Sequence, residues 1–323
     1  MKEWTIDRYE GSRADEWNDF VAKARNATFL FNRSYMDYHA DRFEDCSMLA
    51  WKGEKLMAVL PANITSDGVL HSHQGLTYGG WILRRHHDDC VTVLEFWEEW
   101  LRKCREMGIR AIDYKPLPHI YAIQPSEEDI YALFRSRALL CECNASATIR
   151  LANNPGLNEN RKRLLKKTVN AQYSICRCET EEDFRIFHQI LSDCLSERHN
   201  AAPVHSLDEI VMLHNRFPDN IQLWGIYAAG AMQAGVLLYI SERVVHAQYI
   251  ATTAEAREQN LLTPLFIELI SQTSQGEFGT SVEYFDFGTS NEDHGLVLNE
   301  TLYRQKASFG ATCIAYPRYL LEL

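Results

Sequence analysis

One pattern of predicted secondary structure occurs twice in this chain. Residues Ser47 to His73 read as three strands joined by two turns, and residues Leu223 to Ile250 read the same way. In each copy a small turn joins two apolar runs, with Lys52-Gly53-Glu54 in the first and Ala229-Gly230 in the second. Apolar runs on either side of such turns are typical of hairpins. The sequence therefore predicts two copies of a three-stranded meander.

Each copy continues into an amphipathic helix and then into an apolar strand that contains an aspartate. The spacing of apolar residues predicts helices over Val91 to Glu106 and over Leu261 to Ser274. The strands that follow contain Asp113 and Asp286, at a nearly constant offset between the copies. Two β-β-β-α-β units indicate an α/β (α+β) fold, in which each domain has a mixed, mostly antiparallel sheet flanked by helices.

The two copies are separated by a polar loop, Ala152 to Leu157. This loop predicts an N-terminal domain over residues 1–155 and a C-terminal domain over residues 156–323. A length of 323 residues is sufficient for two domains with a hydrophobic core each.

Composition limits the classes of function. A formal charge of −11 argues against a DNA-binding protein or a general nucleic-acid binder, which needs clustered Lys and Arg. No apolar run is long enough for a membrane span, and the polar start of the chain lacks a signal peptide, so we expect a cytoplasmic protein. Nine cysteines, an odd number, favour reduced thiols over a disulfide framework. No spacing of Cys and His is convincing enough to predict a metal site.

One basic segment stands out in this acidic chain. Asn160 to Thr168 carries five cations and no acidic residue. Arg161 and Lys162 in this segment are candidates to hold a phosphate group on a donor or an acceptor. A solvated helix face is the alternative, and the sequence leaves both open.

The most distinctive motif is a strand that ends in Asp286-Phe-Gly-Thr-Ser290. Gly288, Thr289 and Ser290 would expose backbone amides and a hydroxyl at the carboxyl edge of the sheet, where open α/β sheets place ligands. A simple strand-to-helix turn is the alternative. A helix predicted from about Gly295 to Ala307 then puts Tyr303 and Lys306 on one line. Lys306 on that line is either a surface lysine or a cation that faces the site.

Further candidate residues lie in three other segments. The candidates for substrate binding are His73, Gln74 and Tyr78 in the glycine-rich stretch from His71 to Trp81, Arg198 and His199 after a helix, and Gln248 beside Tyr249 on a strand. Tyr249 can act as an acid or as a hydrogen-bond donor. For the histidines of the first segment, a satisfied core position is the alternative.

Several of these segments together resemble the FemAB-like branch of the GCN5-related N-acyltransferase (GNAT) superfamily. The resemblance is carried by NENRKRLLKKTVNAQYSICRC (158–178), by LSDCLSERHNAAP (191–203), by the D-F-G-T-S motif and by the later Lys306 with Phe309-Gly310. Members of this branch add amino acids to peptidoglycan precursors. The resemblance implies two tandem acyl-CoA N-acyltransferase folds and transfer of an acyl or aminoacyl group to an amine. It also implies that Lys306 stabilises the oxyanion, and it makes Asp286 and Tyr249 candidates to orient or deprotonate the amine.

One departure leaves the donor open. Ordinary GNAT enzymes bind the pyrophosphate of acyl-CoA with a glycine-rich loop at a helix N-terminus, but here Arg257 to Leu262 contains no glycine. The expected donors are therefore aminoacyl-tRNA, acyl-CoA or an acyl carrier protein, with no tightly bound cofactor. The expected acceptor is a small or nucleotide-linked molecule, with a cell-wall or sugar-nucleotide precursor as one candidate. N-acylation of a small amine or amino sugar is an alternative function, as is a binding protein that retains only the fold.

Overall fold

The structure is a computed structural model that describes residues 3–85, 89–168, 172–199 and 201–323, with the backbone alone for Arg198 and His199. It divides into two compact units. Unit 1 comprises Met1–Asn144, Asn291–Val297 and Ala315–Leu323, and unit 2 comprises Ala145–Ser290 and Leu298–Ile314. The chain therefore returns to unit 1 after residue 290, whereas the predicted split at residues 155 and 156 cuts the chain only once.

The helices and strands are as follows. The helices are α1 (Ala14–Ala22), α2 (Arg33–Met36), α3 (Cys90–Glu106), α4 (Glu128–Arg135), α5 (Glu159–Thr168), α6 (Glu181–His199), α7 (Leu207–Arg216), α8 (Ala254–Glu258), α9 (Leu262–Gln275) and α10 (Glu300–Ala307). The strands are β1 (Trp4–Arg8), β2 (Glu44–Asp45), β3 (Met48–Lys52), β4 (Lys55–Leu60), β5 (Asn63–Ile64), β6 (Val69–His71), β7 (Ile82–Leu83), β8 (Ala111–Tyr114), β9 (Leu139–Arg150), β10 (Ser174–Cys178), β11 (Ile221–Ala228), β12 (Ala231–Ile240), β13 (Val244–Thr252), β14 (Tyr284–Thr289), β15 (Asn291–Glu292), β16 (Val297–Leu298) and β17 (Thr312–Glu322). No helix in the described part of the chain is both long and apolar enough to cross a membrane.

In unit 1 the predicted meander is divided between two sheets. Strands β3 and β4 lie in an antiparallel sheet of order β1-β3-β4-β7, whereas β5 and β6 pair beside β8. Pro61 follows β4 directly, and because proline has no backbone N–H it cannot continue a ladder. Helix α3 begins where Asp89 accepts a hydrogen bond from the Thr92 backbone, and it buries a stripe of aromatic residues in the core of this unit.

Unit 2 contains a sheet of order β10-β11-β12-β13-β14-β9, as the second meander predicts for its central strands. All neighbours are antiparallel except β13 and β14, which are parallel. Helix α9 buries Leu265, Phe266 and Leu269 in the core that it shares with this sheet. The pattern predicts α9 to within one residue, and its last turn ends at Gly276 in the left-handed conformation.

Strands β13 and β14 pair over only part of their length. The pairing joins Val244–His246 to Tyr284–Asp286 and stops there, although β13 continues to Thr252 and β14 to Thr289. A bulge in β13 lies beyond this point, because Leu237 and Leu238 face Tyr249 and Ala247 and leave Gln248 without a register partner. The two strands therefore separate and leave an opening in the sheet of unit 2.

Helix α10 begins later than predicted. It starts at Glu300, where the side chain of Asn299 accepts a hydrogen bond from the backbone of Leu302. The residues between Gly295 and Asn299 form β16 instead, which pairs with β15. The apolar residues of this segment resemble a helix stripe, but the asparagine cap sets the first turn.

Candidate functional site

Asp286 is the last residue of β14 that pairs with β13, and it is fully buried. Its Oδ1 accepts hydrogen bonds from Ser146 Oγ at 2.6 Å and from Thr148 Oγ1 at 2.7 Å, both on β9. Its Oδ2 lies 2.8 Å from Nδ1 of His246, which is its register partner on β13. Burial alone would raise the pKa of this carboxyl, but the bonds from His246, Ser146 and Thr148 outweigh it and hold the pKa at about 2.

This environment makes Asp286 an anion that orients its neighbours. A carboxylate with such a low pKa is a poor proton acceptor at neutral pH. This environment favours orientation over deprotonation of the amine, and both roles predicted for Asp286 stay predictions.

Lys306 reaches the end of the same strand from α10. Its Nζ donates hydrogen bonds to the carbonyl oxygens of Gly288 at 3.0 Å and Thr289 at 2.7 Å. Burial lowers the pKa of Lys306 to about 8, although the nearby charge of Asp286 acts in the opposite direction. Two of the three N–H groups of the ammonium hold β14 in place, which leaves one for a further acceptor.

Tyr249 lies farther along β13, beyond the bulge. Its hydroxyl is 2.5 Å from Nδ1 of His205, whose backbone carbonyl lies 3.1 Å from Nε2 of His188. Burial raises the pKa of Tyr249 to about 12. Tyr249 therefore keeps its proton at neutral pH and fits the predicted role of a hydrogen-bond donor or acid.

A cleft of about 850 Å³ opens in unit 2 where β13 ends. It is lined by Thr252, by residues of α8 and the start of α9, and by residues of α5 and α10. The charged residues of the lining are Arg161, Arg257 and Arg304. No carboxylate lines this cleft among the described residues, although Arg304 and Arg257 have acidic partners, Glu300 at 3.1 Å and Glu197 at 3.5 Å.

Arg161 is the only one of these three arginines that is buried and has no acidic partner within the described chain. It is 7% exposed, and its guanidinium donates to Ser308 Oγ, Thr263 Oγ1 and the Gln305 carbonyl at 2.8, 2.9 and 3.1 Å. Burial is the cause that lowers its pKa, and no anion offsets that cost. An arginine has five N–H groups, so two remain after these three bonds. A buried cation without a counter-ion, facing a cleft, is an arrangement suited to an anionic ligand.

The start of α9 offers less to an anion than a glycine-rich loop would. No side chain caps this helix, and Pro264 removes a backbone N–H from its first turn. In other anion sites backbone amides at a helix N-terminus supply the positive charge. In this cleft the arginines of the lining supply it. The missing glycines therefore remove backbone donors from this position but not the positive charge of the cleft.

The candidates in unit 1 are engaged in internal contacts. His73 is buried, and burial lowers its pKa to about 3. The backbone and side chain of Gln74 both bond to the side chain of Asn63 at 2.8 Å. The buried Tyr78 hydroxyl lies 3.3 Å from Thr28 Oγ1. The structure thus favours the core alternative for His73, and the Tyr78 hydroxyl likewise lies in the interior of unit 1.

The remaining candidates differ in their placement. Gln248 is the bulge residue of β13, and Thr289 is exposed. The buried hydroxyl of Ser290 makes no hydrogen bond with the part of the chain that the structure describes. Tyr303 packs against the core of unit 2, and Lys162 is exposed and paired with Glu159 at 2.8 Å. The side chains of Arg198 and His199 lie outside the described residues.

Sequence reasoning did not find several residues of this site. Ser146 and Thr148 alternate on β9 and bond Asp286, while Thr263 and Ser308 fix Arg161. Nothing in a single sequence distinguishes such hydroxyls from ordinary strand and helix residues. The sequence does indicate His246, on the same strand as Gln248 and Tyr249, but not its pairing with Asp286; it occupies the same place in the second copy that His71 occupies in the first.

Comparisons with known proteins agree with the fold described above. Residues 157–294 match the acetyltransferase (GNAT) domain family. A search of curated protein sequences finds no match. Among solved structures, the chain is similar to FemX, with a TM-score of 0.70 at 9% identity over 99% of this chain and 97% of that one.

Two further structures share the fold. The C-terminal domain of a putative lysylphosphatidylglycerol synthetase from Agrobacterium fabrum gives a TM-score of 0.60 at 15% identity, over 96% of this chain and 90% of that one. A tandem GNAT protein from the clavulanic acid biosynthesis pathway gives 0.54 at 11% identity, over 99% and 98% of the two chains. At identities this low, the similarity to these structures shows the fold alone. The comparisons thus show that residues 157–294 match the GNAT domain family and that the chain as a whole has the tandem fold of these structures.

Proposed function

We propose that the chain transfers an acyl group from a phosphate-bearing thioester to an amine, and that the transfer takes place in unit 2. The observation that carries this proposal is Arg161, a buried cation without an acidic partner in the described chain, at the wall of the cleft. The phosphate of the donor would occupy the cleft and accept hydrogen bonds from the remaining N–H groups of the guanidinium. Arg257 and Arg304 would add to the positive potential.

The separation between the cleft and the Asp286 cluster favours a donor with a long arm. Thr252 lines the cleft and His246 bonds Asp286, and the two are six residues apart on β13. At ~3.3 Å per residue this distance is ~20 Å. In coenzyme A, and in a carrier protein with the same prosthetic group, a long flexible arm separates phosphate from thioester. In an aminoacyl-tRNA the ester lies on the terminal ribose, close to the nearest phosphate.

The opening between β13 and β14 is the proposed path of this arm. Beyond His246 and Asp286 the two strands no longer pair with each other, so an extended arm can bond to backbone groups there. The carbonyl of the acyl group would then lie near the bulge of β13. Lys306, with one N–H left, and Tyr249, which keeps its proton, are the groups proposed to stabilise the charge on oxygen and to protonate the leaving group.

The acceptor is an amine whose identity the neighbours only suggest. One neighbour is named a putative lysylphosphatidylglycerol synthetase, and another a tandem GNAT protein from the clavulanic acid biosynthesis pathway. For this chain we infer a small or nucleotide-linked amine, with a cell-wall or sugar-nucleotide precursor as the first candidate to test.

Calorimetric titration with coenzyme A and acetyl-CoA tests the proposed donor site. We expect one binding site per chain. Arg161→Met should weaken binding by about 10- to 100-fold, because a charge-assisted hydrogen bond contributes about 1.5–3 kcal/mol. Arg161→Lys should recover only part of the loss, because an ammonium lacks the fork of donors.

Arg163→Met is the matched control, since Arg163 is an exposed cation on the same helix, α5. It should leave binding unchanged, and thermal unfolding of every variant checks that the fold persists. Equal binding by the wild type and Arg161→Met would contradict the proposed site. Binding of aminoacyl-tRNA without any response to coenzyme A would contradict the proposed class of donor.

A further inference from the structure

Each unit contains a histidine and an aspartate at corresponding positions of a parallel strand pair. In unit 1 His71 on β6 is the register partner of Asp113 on β8, and in unit 2 His246 on β13 is the partner of Asp286 on β14. In both pairs Nδ1 of the histidine lies 2.8 Å from Oδ2 of the aspartate. The duplicated fold therefore carries a duplicated His–Asp pair, which allows one copy to be compared with the other.

The two pairs differ in what surrounds the aspartate. Asp113 is held by both Nε and Nη2 of Arg318, at 2.6 and 2.5 Å, so its charge is balanced by a guanidinium. Asp286 is held by the neutral hydroxyls of Ser146 and Thr148 and by the imidazole of His246. Of these three partners, only the imidazole can carry a positive charge.

The two histidines also differ at their second nitrogen. Nε2 of His71 lies 3.3 Å from Thr65 Oγ1, so both of its ring nitrogens are engaged. Nε2 of His246 has no hydrogen-bond partner in the described part of the chain. The His246 side chain is 13% exposed, and its Nε2 is in contact with solvent. An aspartate at Nδ1 fixes the tautomer and orientation of an imidazole and leaves Nε2 able to accept a proton.

The free edge of the His246 ring faces the opening between β13 and β14. A methyl group placed at the Cα of Gly288 would lie 3.3 Å from Cε1 and 3.9 Å from Nε2 of this ring. Gly288 lies two residues beyond Asp286, where the two strands have separated. In unit 1 the corresponding space is closed by the chain itself, because Ser72 and Gly79 bond to the backbone carbonyls of Asp113 and Lys115.

From this geometry we infer that His246 is the catalytic base of unit 2 and that the His71 pair in unit 1 serves the fold alone. This inference rests on the proposed function. Asp286 acts as a positioning residue, since it touches the imidazole and not the reacting atoms.

The step is a direct transfer. The amine nitrogen attacks the carbonyl carbon of the thioester, and the π electrons of the carbonyl move to its oxygen. His246 Nε2 takes a proton from the nitrogen, which is left neutral. The oxyanion then reforms the carbonyl, the carbon–sulfur bond breaks, and sulfur leaves with the electron pair. The leaving sulfur receives a proton, either from the imidazolium or from Tyr249 with later return of the proton by the imidazolium. The products are one amide and one thiol.

The substitution His246→Asn separates the two roles of this side chain. An asparagine amide can still donate to Asp286 from about the position of Nδ1, but it has no group at the position of Nε2. We expect acetyl transfer from acetyl-CoA to the best amine of a panel of amino sugars and sugar nucleotides to fall by about 10²- to 10⁴-fold in kcat. The KM for acetyl-CoA and the melting temperature should change little.

His71→Asn is the matched control, because it makes the same change in the other copy and should leave kcat unchanged. His246→Ala with added imidazole is a second test, in which free imidazole should restore part of the rate. A His246→Asn variant that transfers at the wild-type rate would overturn the inference and leave the proposed function standing. A wild-type protein that binds and transfers from no donor would overturn both.

Discussion

At the scale of single residues, Asp286 shows how a buried charge can be maintained. Removal from water opposes ionisation, but the imidazole and the hydroxyls around the carboxylate compensate for it and lower its pKa to about 2. The alternation that puts Asp286 on the face of His246, Ser146 and Thr148 follows from strand geometry. A single sequence predicts that Asp286 is important, but not that its partners come from a strand about 140 residues earlier.

The pKa of Asp286 predicts how stability depends on pH. Because the folded pKa of about 2 lies below the value of ~3.9 in an unfolded chain, the ionised carboxylate stabilises the fold above pH ~4. This contribution, about 2–3 kcal/mol, is lost as the pH falls from 4 toward 2. Urea unfolding at a series of pH values measures it.

Asp286→Asn should be less stable at pH 7 and should lose less stability than the wild type between pH 4 and pH 2. Asp113 contributes in the same direction in unit 1, since its pKa is also about 2, so the variant keeps part of the slope. Parallel stability curves for wild type and variant over this range would show that Asp286 does not have the low pKa described here.

At the scale of elements, the end of β14 depends on its glycine. Gly288 has a φ of +78°, which other residues adopt at a cost, and it leaves space for the His246 ring. Gly288→Ala should therefore lower the free energy of unfolding by about 1–2 kcal/mol. It should also lower the rate of transfer, because the added methyl group presses on the imidazole.

Gly156→Ala provides the matched control for that prediction. Gly156 has the same φ of +78°, but a methyl group there meets no atom within 4 Å. The Gly156→Ala variant should lose a similar amount of stability and keep the wild-type rate of transfer. If both variants transfer equally well, the contact between Gly288 and His246 is unimportant for the reaction.

Most elements of unit 2 were predictable because their patterns are long and regular. The hydrophobic periodicity predicts α9 almost to the residue, and the second meander corresponds to β11, β12 and β13. The start of α10 was not predictable, because the residues before Asn299 have helical spacing but form a short strand pair. The separation of β13 from β14 was also beyond prediction, because it depends on where a ladder stops and not on residue type.

At the scale of the whole molecule, the sequence predicted two copies of the fold. It did not predict which segments of the chain belong to each unit. Unit 1 takes its last segment from Ala315–Leu323, where Leu321 joins the core of this unit and Tyr319 pairs with Tyr114. No local pattern near residue 315 indicates which core that strand enters. The two copies have also diverged in chemistry, since the His–Asp pair is closed in unit 1 and open in unit 2.

A crystal structure of the full chain with coenzyme A would show directly whether unit 2 holds the donor. We expect one molecule in unit 2, with a phosphate oxygen within hydrogen-bond distance of the Arg161 guanidinium. Its arm should run between β13 and β14 and bring sulfur toward Tyr249 and His246. Coenzyme A bound in unit 1, or bound in unit 2 with every phosphate remote from Arg161, would rule out the proposed donor site.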